Sequence, residues 1–394
     1  MNNDNQKNHL KAYGIVYFAL QAELKAKWLL NYDGGAFLIE NNTLVENECK
    51  IRGVSYQVIS DAKAQLILQD ISSPSKNQEA VTLEKAPKIA VYSPKDKMPW
   101  DDAVTMVLSY AEIPFDVIYD QEVLNDQLLL YEWVHLHHED FTGQYGRFYG
   151  AFRTVPWYVD GKIRAQKSAK SLGFNKVSQL KLAVSKKLRD FVIGGGFMFA
   201  MCSATDSFDI ALAAEGVDIA ESMFDGDPSE SNYQSKINFN RTFAFKDFNL
   251  IRNPTTYEFS SIDMTRKRSI PKTSDYFSLI EFSAKWDPVP TMLTQNHTQL
   301  VKGFMGQTTS YDRATIKSNV LVMGENRTNR EARYIHGTKG KGMFTFYGGH
   351  DPEDYTHRVG DPKTELDLHP TSPGYRLILN NVLFPAAKKK KQKT

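Results

Sequence analysis

The sequence predicts an α/β fold: a doubly wound, mostly parallel sheet with an N-terminal layer ahead of it and a large β-rich insertion within it. Two observations carry this. From Lys88 onward, short apolar runs alternate with helical patterns, and strands that are apolar throughout are those of a parallel sheet buried on both faces. Between about Val217 and Ser318 that rhythm breaks into aromatic-rich alternating segments, after which it resumes. The 394 residues suffice for one large domain or two ordinary ones. A composition of 41% apolar and 24% charged residues is that of a folded globular chain.

Residues 1–86 form the N-terminal α/β layer. His9 to about Leu29 carries apolar residues at helix spacing (Leu10, Tyr13, Val16, Tyr17, Leu20). The segment "KWLLNYDGGAFLI" reads as a ribbon turning at Gly34-Gly35, "VSYQVIS" as a strand, and "DAKAQLILQDI" as a helix capped by Asp61. The polar "SSPSKNQEA" marks a boundary. Residues 87–216 supply the first part of the main domain. Here "KIAVYSP", "FDVIYD", "YEWVHLHHEDF" and "GGGFMFAM" are strands, "WDDAVTMVLSYAEI" is a helix ending at Pro114, and Lys181 to Phe191 is amphipathic.

Residues 217–317 are the insertion, partly β and partly helical, expected to lie over the cleft at one end of the sheet. Its Phe243, Phe245, Phe248, Tyr257 and Phe259 suit a satellite core, with a sugar-stacking platform as the alternative. Residues 318–387 complete the domain with strands "NVLVMGE" and "GMFTFYGGH" and a helix entered through Ser372-Pro373. Residues 388–394 are a basic tail, read as solvated.

A net charge of +2 supplies no bulk field toward nucleic acid. No apolar run approaches the ~18 residues that span a bilayer. The first residues contain no apolar signal region, so a cytoplasmic chain is expected if the sequence is complete. Cys49 and Cys202 are too few and too far apart for a disulfide framework or a zinc pattern. That suits a reducing compartment and equally an envelope protein that uses few cysteines.

One of those two cysteines stands at a telling corner. In open α/β sheets ligands bind outside the carboxyl ends of strands. In "GGGFMFAMCSATDSF" a strand runs into Cys202, then Ser203-Ala204, then a helical pattern that Thr205 or Asp206 would cap. A tight strand-to-helix turn with small neighbours is a nucleophile elbow, whose following N–H groups form an oxyanion site. A thiolate at a helix N-terminus is favoured by the dipole. A small buried apolar cysteine is the competing reading.

His350, after "TFYGG", also ends a strand, with Glu353 or Asp354 in reach to orient its ring as a Cys–His–carboxylate set requires. "HLHHED" concentrates His135, His137, His138, Glu139 and Asp140. On a strand His135 and His137 share a face, while His138 points away unless the strand has ended. His135 and His137 with His350 or a carboxylate would suit a divalent metal; lining the polar end of a strand is the alternative. Asn296 and His297 either overhang the cleft, joining Asp206 there, or tie the insertion to the sheet. "HGTKGKG" lacks P-loop spacing and reads as a basic hairpin turn. His357, Asp361 and His369 read as structural.

"VIGGGFMFAMCSATDSF" followed by "GKGMFTFYGGHDPEDY" resembles the trehalose-utilisation (ThuA-like) branch of the class I glutamine-amidotransferase-like superfamily. The likeness covers residues 88 to 220 and 318 to 387 and implies a flavodoxin-like sheet. The elbow here is one residue longer than the family's, so Met201 or Ser203 competes with Cys202 for the apex. Many ThuA-like members have no cysteine there, so a catalytic Cys202 rests on position. The whole chain also resembles Bacteroidetes proteins labelled asparagine synthetase B, a group that commonly begins with a secretory leader. That resemblance implies an envelope or periplasmic location. The residues a glutamine-dependent asparagine synthetase needs are missing, since residue 2 is Asn2 and no Ser-Gly-Gly-x-Asp-Ser loop exists.

The expectation is a thiol-dependent hydrolase or acyl transferase using Cys202, His350 and Glu353 or Asp354, with no cofactor, in a cleft that the strand end carrying His135, His137 and Glu139 completes. A catalytically silent sugar- or protein-binding accessory protein of the envelope is the first alternative. A metal-dependent enzyme using the His135/His137 strand end is the second. The ligand would be a small molecule or carbohydrate-derived.

Overall fold

Caps and turns set the first unit. The structure, a computed structural model, describes residues 1, 4–95, 99–136, 138–356 and 358–387. Asn8 caps α1 (His9–Gln21) by accepting the Lys11 N–H, and Leu10, Tyr13 and Val16 are buried on it. β1 (Ala26–Leu30) and β2 (Ala36–Ile39) then pair antiparallel. They turn through Gly34 and Gly35, at φ 72° and 86°, where glycine carries no steric penalty. α2 (Thr43–Arg52) is capped by Asn42. The stretch "VSYQVIS" is irregular, not a strand. Its Tyr56 and Val58 are exposed, so its alternation has no sheet face to bury. In α3 (Asp61–Ser72) the capping side chain is Ser60, not Asp61. β3 (Glu79–Leu83) returns to β1, giving a three-stranded sheet in the order β2-β1-β3.

The main sheet begins with β4 (Ile89–Tyr92), α4 (Ala103–Tyr110), β5 (Asp116–Ile118), α5 (Asp120–Leu124) and β6 (Trp133–Leu136). α6 (Tyr149–Phe152), α7 (Pro156–Ser171), α8 (Val177–Gly194), β7 (Phe197–Met201) and α9 (Ala204–Ala213) follow. The insertion contributes α10 (Ser222–Asp225), β8 (Tyr276–Leu279), α11 (Pro288–Leu293), β9 (Leu300–Lys302) and β10 (Tyr311–Asp312). β11 (Leu321–Asn326), β12 (Glu331–Lys339), β13 (Gly342–Tyr347) and α12 (Pro373–Leu383) close the chain.

The result is a mixed α/β protein with one large sheet, ordered β5-β4-β6-β7-β13-β12-β11-β8-β9, with β10 on β12. β5, β4, β6, β7 and β13 run parallel, and the remaining pairs are antiparallel. β4 and β6 are buried along their whole length, as strands covered on both faces must be. One face packs against α1, α4 and α12, and the other against α8 and α9. α1 thus shares a core with the C-terminal helix: Tyr13 hydrogen-bonds Asn380, and Arg376 Nε donates to the Tyr13 hydroxyl at 3.2 Å.

The insertion does more than lie over the sheet's end, because β8 and β9 extend the sheet's antiparallel edge. Its aromatic segments form isolated bridges, Phe245 to Ile316 and Leu250 to Ser260, in place of continuous strands. Phe243, Phe245, Phe248 and Phe259 are buried as expected of a satellite core, whereas Tyr257 is 39% exposed. "HGTKGKG" is the end of β12, a turn at Gly340 and the start of β13. The basic tail lies outside the described residues. No described helix is long and apolar enough to cross a membrane.

Candidate functional site

The carboxyl ends of β6, β7 and β13, three adjacent parallel strands, converge on one hollow. β7 ends at Met201 and α9 starts at Ala204. Between them Cys202 takes φ 56°, a left-handed conformation that costs a non-glycine residue energy and tends to persist at functional turns. Ser203 is already right-handed helical, at φ −61°. The strained apex therefore falls on Cys202. Neither Thr205 nor Asp206 caps α9: Thr205 Oγ1 donates to the Cys202 carbonyl at 2.7 Å, and Asp206 is turned into the core.

His138 and His350 stand beside the sulfur. Sγ and one nitrogen of each ring lie within 4.8 Å of one another. The two rings stack with centroids 4.0 Å apart, and their Nδ1 atoms are 3.3 Å apart. His138 reaches the hollow because β6 stops at Leu136, which ends the strand's side-chain alternation, and because it takes φ 24°. Ser203 Oγ donates to the His138 carbonyl at 3.1 Å, tying this loop to the elbow. Ser203 and Gln307 line the same hollow as Cys202, and their backbone N–H groups lie near enough to Sγ to favour its thiolate. The hollow, about 250 Å³, is walled by Trp100, Phe148, Tyr257 and Met305. Burial pushes the Cys202 thiol up to about 12, against the pull of the two N–H donors.

Of the other expected site residues, Ala204 opens α9 behind the sulfur. Glu353 faces away: its carboxylate accepts from Ser372 Oγ at 2.5 Å and lies 3.3 Å from His369 Nδ1. The Asp354 N–H bonds Asp351 at 3.4 Å, and Asp351 is itself held by Tyr375 and Thr364. The ring that meets the His350 imidazole is His138. His135 lies outside the hollow, a correction to its expected cleft and metal roles. Its odd parity on β6 buries it beside Trp133 and Phe199, with Nδ1 3.2 Å from the Phe199 carbonyl and Nε2 3.4 Å from Asp102. His137 lies outside the described residues, as does His357.

Asn296 and His297 are likewise not at the cleft. Asn296 donates to the Pro373 carbonyl at the start of α12, and the His297 ring packs edge-on against His9 at 4.6 Å. Asn296 ties the insertion to the C-terminal helix, and His297 ties it to the N-terminal layer. Asp206 sits beneath the elbow with no solvent exposure, and so does not line the cleft.

Glu139 lines a second, larger cleft of about 440 Å³ that shares Trp100, His138 and Phe148 with the hollow. On the floor of that cleft is Lys181. Its Nζ lies 2.9 Å from the Tyr92 hydroxyl and 3.0 Å from the Tyr119 hydroxyl, Asp120 and Glu139. The sequence signal for Lys181 was a lysine on the apolar face of α8, between Leu180 and Val184. The sulfur and two imidazoles are donors of the kind a zinc-class ion takes, unlike the oxygen sets of magnesium or calcium. Asp218, Asp225 and Asp227 also cluster, but Lys176 is bonded to all three at 2.6, 3.0 and 2.5 Å.

No family model and no curated protein matches the chain. Among solved structures it is similar to two cytoplasmic proteins from Salmonella typhimurium. The first has TM-score 0.37 and 10% identity, over 77% of this chain and 100% of that one. The second has TM-score 0.37 and 12% identity, over 76% and 100%. A GH42 β-galactosidase follows with TM-score 0.30 and 11% identity, over 68% of this chain and 28% of its own. Likenesses this distant carry no argument about activity.

Proposed function

We propose that the chain is a thiol-dependent hydrolase or acyl transferase acting on an amide or ester, with Cys202 as nucleophile and His350, paired to His138, as proton acceptor. One observation carries the reading: a left-handed cysteine at a strand-to-helix corner has two imidazoles and two backbone N–H donors around its sulfur. The parallel order β5-β4-β6-β7-β13 supports the class I amidotransferase-like resemblance, since it follows the 2-1-3-4-5 order of flavodoxin-like sheets.

The chemistry follows from the groups present. Burial keeps the resting thiol protonated, so its proton passes to the imidazole as sulfur attacks the carbonyl carbon. The Ser203 and Gln307 N–H groups stabilise the tetrahedral oxyanion. The C–N or C–O bond then breaks, the imidazolium protonates the leaving group, and a thioester remains. Water, deprotonated by the same imidazole, or a second acceptor releases the acyl group. The larger cleft beside the hollow gives the rest of the substrate its space.

The experiment is iodoacetamide labelling of the folded protein, resolved by mass spectrometry at Cys202 and Cys49. Cys202 is expected to react in the native state, and His350→Ala or His138→Ala to slow it at least ~10-fold. Labelling that requires unfolding would instead favour a silent binding protein, and stoichiometric metal in elemental analysis would favour metal chemistry.

A further inference from the structure

The second N–H donor at the sulfur belongs to the insertion, and the loop that carries it is under constraint. Thr308, next to Gln307, takes φ 58°, an uncommon and costly conformation for a β-branched residue. Two carboxylates hold it there. Asp263 Oδ2 accepts the Thr308 N–H at 3.1 Å, and Asp206 Oδ1 accepts the Thr308 hydroxyl at 2.9 Å. Asp206 lies in the first turn of α9, the helix Cys202 leads into, and Asp263 lies in the insertion. Asp263 Oδ1 also accepts the Thr265 N–H and hydroxyl at 2.8 and 2.6 Å, and that hydroxyl accepts the Thr309 N–H at 2.9 Å. Two successive loop amides are therefore fixed by one cluster.

The cluster is dry. Asp206 has no solvent exposure and Asp263 only 3%. Among the described residues, Asp206 Oδ2 has no hydrogen-bond partner. Burial first and the other's charge second hold Asp206 well above the ordinary carboxylate range, and burial, with Glu258 nearby, pushes Asp263 up to about 6. Tyr311, Arg147 and Cys202 itself are ionisable groups facing Asp206, and Cys202 faces Asp263 as well. Burying two acids side by side is costly, and a fold with no use for the loop's placement could have avoided it.

We propose that Asp206 and Asp263 are positioning residues which, by bracketing Thr308, aim the Gln307 N–H at the Cys202 sulfur and at the oxyanion formed there. The elbow helix and the insertion then build one oxyanion site between them: Ser203 comes from the first and Gln307 from the second. The inference rests on the thiol reading above.

The test compares two reactions of Cys202 in the full chain. Alkylation by iodoacetamide needs the thiolate but no oxyanion site. Acylation by p-nitrophenyl acetate needs both: a C–S bond forms, the ester C–O bond breaks, p-nitrophenolate leaves with the bonding pair, and the thiol proton goes to the imidazole. Thr308→Val and Asp263→Asn are expected to lower acylation at least ~10-fold more than alkylation, since removing one oxyanion donor typically costs 10²–10³. Thr308→Ser keeps the hydroxyl and should stay near wild type. Asp206→Asn, which resembles the protonated acid, should fall less than Asp206→Leu.

Equal losses in both reactions in folded Thr308→Val would overturn the positioning role while leaving the thiol reading intact. If Asp263→Asn does not fold, Thr308→Val and Thr308→Ser decide. A wild-type Cys202 that undergoes neither reaction removes both proposals together.

Discussion

The parallel half of the molecule and the insertion solve the same problem by different means. In the parallel half, backbone N–H and C=O groups pair strand to strand and turn to turn, and apolar side chains fill both faces. The insertion is largely irregular yet deeply buried, and side chains stand in for the missing strands. Asp209 accepts the N–H groups of Phe243, Ala244 and Phe245 at 2.6, 2.7 and 3.0 Å. Gln234 bonds both the Phe248 carbonyl and the Leu250 N–H, and Gln307 Nε2 donates to Gly146 and Tyr257 carbonyls. Arg147 donates to Thr256 and Asn253. Buried backbone must be paired with something. Where no sheet does it, stability is concentrated in a few polar side chains.

The sharpest way to break that comparison is Asp209→Ala. It strands three buried N–H groups at once and should destabilise by roughly 3–6 kcal/mol, read from denaturant unfolding. Asp102→Ala, which removes a cap serving the Val104 and Thr105 N–H groups in the parallel half and a carboxylate beside His135, should cost a smaller ~1–2 kcal/mol. Equal costs would show that the α9 carboxylate serving the insertion carries no special share. Lys181→Met tests the parallel half's own exception. It leaves Asp120 and Glu139 buried without their cation, an expected loss of roughly 3–5 kcal/mol. Adding Glu139→Gln should recover part of it.

The same contrast explains what could be read in advance. β4, β6 and β7 are legible because burial on both faces leaves them apolar apart from His135, and Cys202 and His350 because each follows such a strand. β12 is not legible: "EARYIHGTK" carries Glu331 and Arg333, which are buried only because Arg268 pairs with the first and the second reaches the Phe304 carbonyl. "VSYQVIS" fails the other way, having the alternation without a neighbour. His138 is half legible, since its face depends on where β6 stops, and one residue decides it. Gln307, Asp263 and the acceptor role of Asp209 lie beyond sequence reading, because nothing local in the insertion says which backbone groups each will meet.

A pH series sharpens the comparison at a neutral group. His336, on β12 and 6% exposed, has Nδ1 3.0 Å from Thr345 Oγ1, and burial lowers it to about 4. Its unfolded value is ~6.5. The folded state refuses a proton that the unfolded chain accepts. The stability from keeping His336 neutral is therefore fully present above ~6.5 and is lost as pH falls toward 4. That gap corresponds to ~3 kcal/mol. His336→Gln should flatten this part of the pH–stability curve relative to wild type. Identical curves would mean the ring is hydrated in solution.

The smallest expected effect separates charge from burial. Lys187 and Asp126 form an ion pair at 2.5 Å, shorter than any of the Lys181 contacts, but their side chains are 37% and 59% exposed. Water already solvates both ends, and fixing two mobile side chains offsets the Coulomb gain, so Lys187→Ala should change stability by less than ~0.5 kcal/mol. A loss comparable to that of Lys181→Met would mean that proximity, not desolvation, sets what these charges contribute. The special place given to Asp209 and Lys181 would then have no basis.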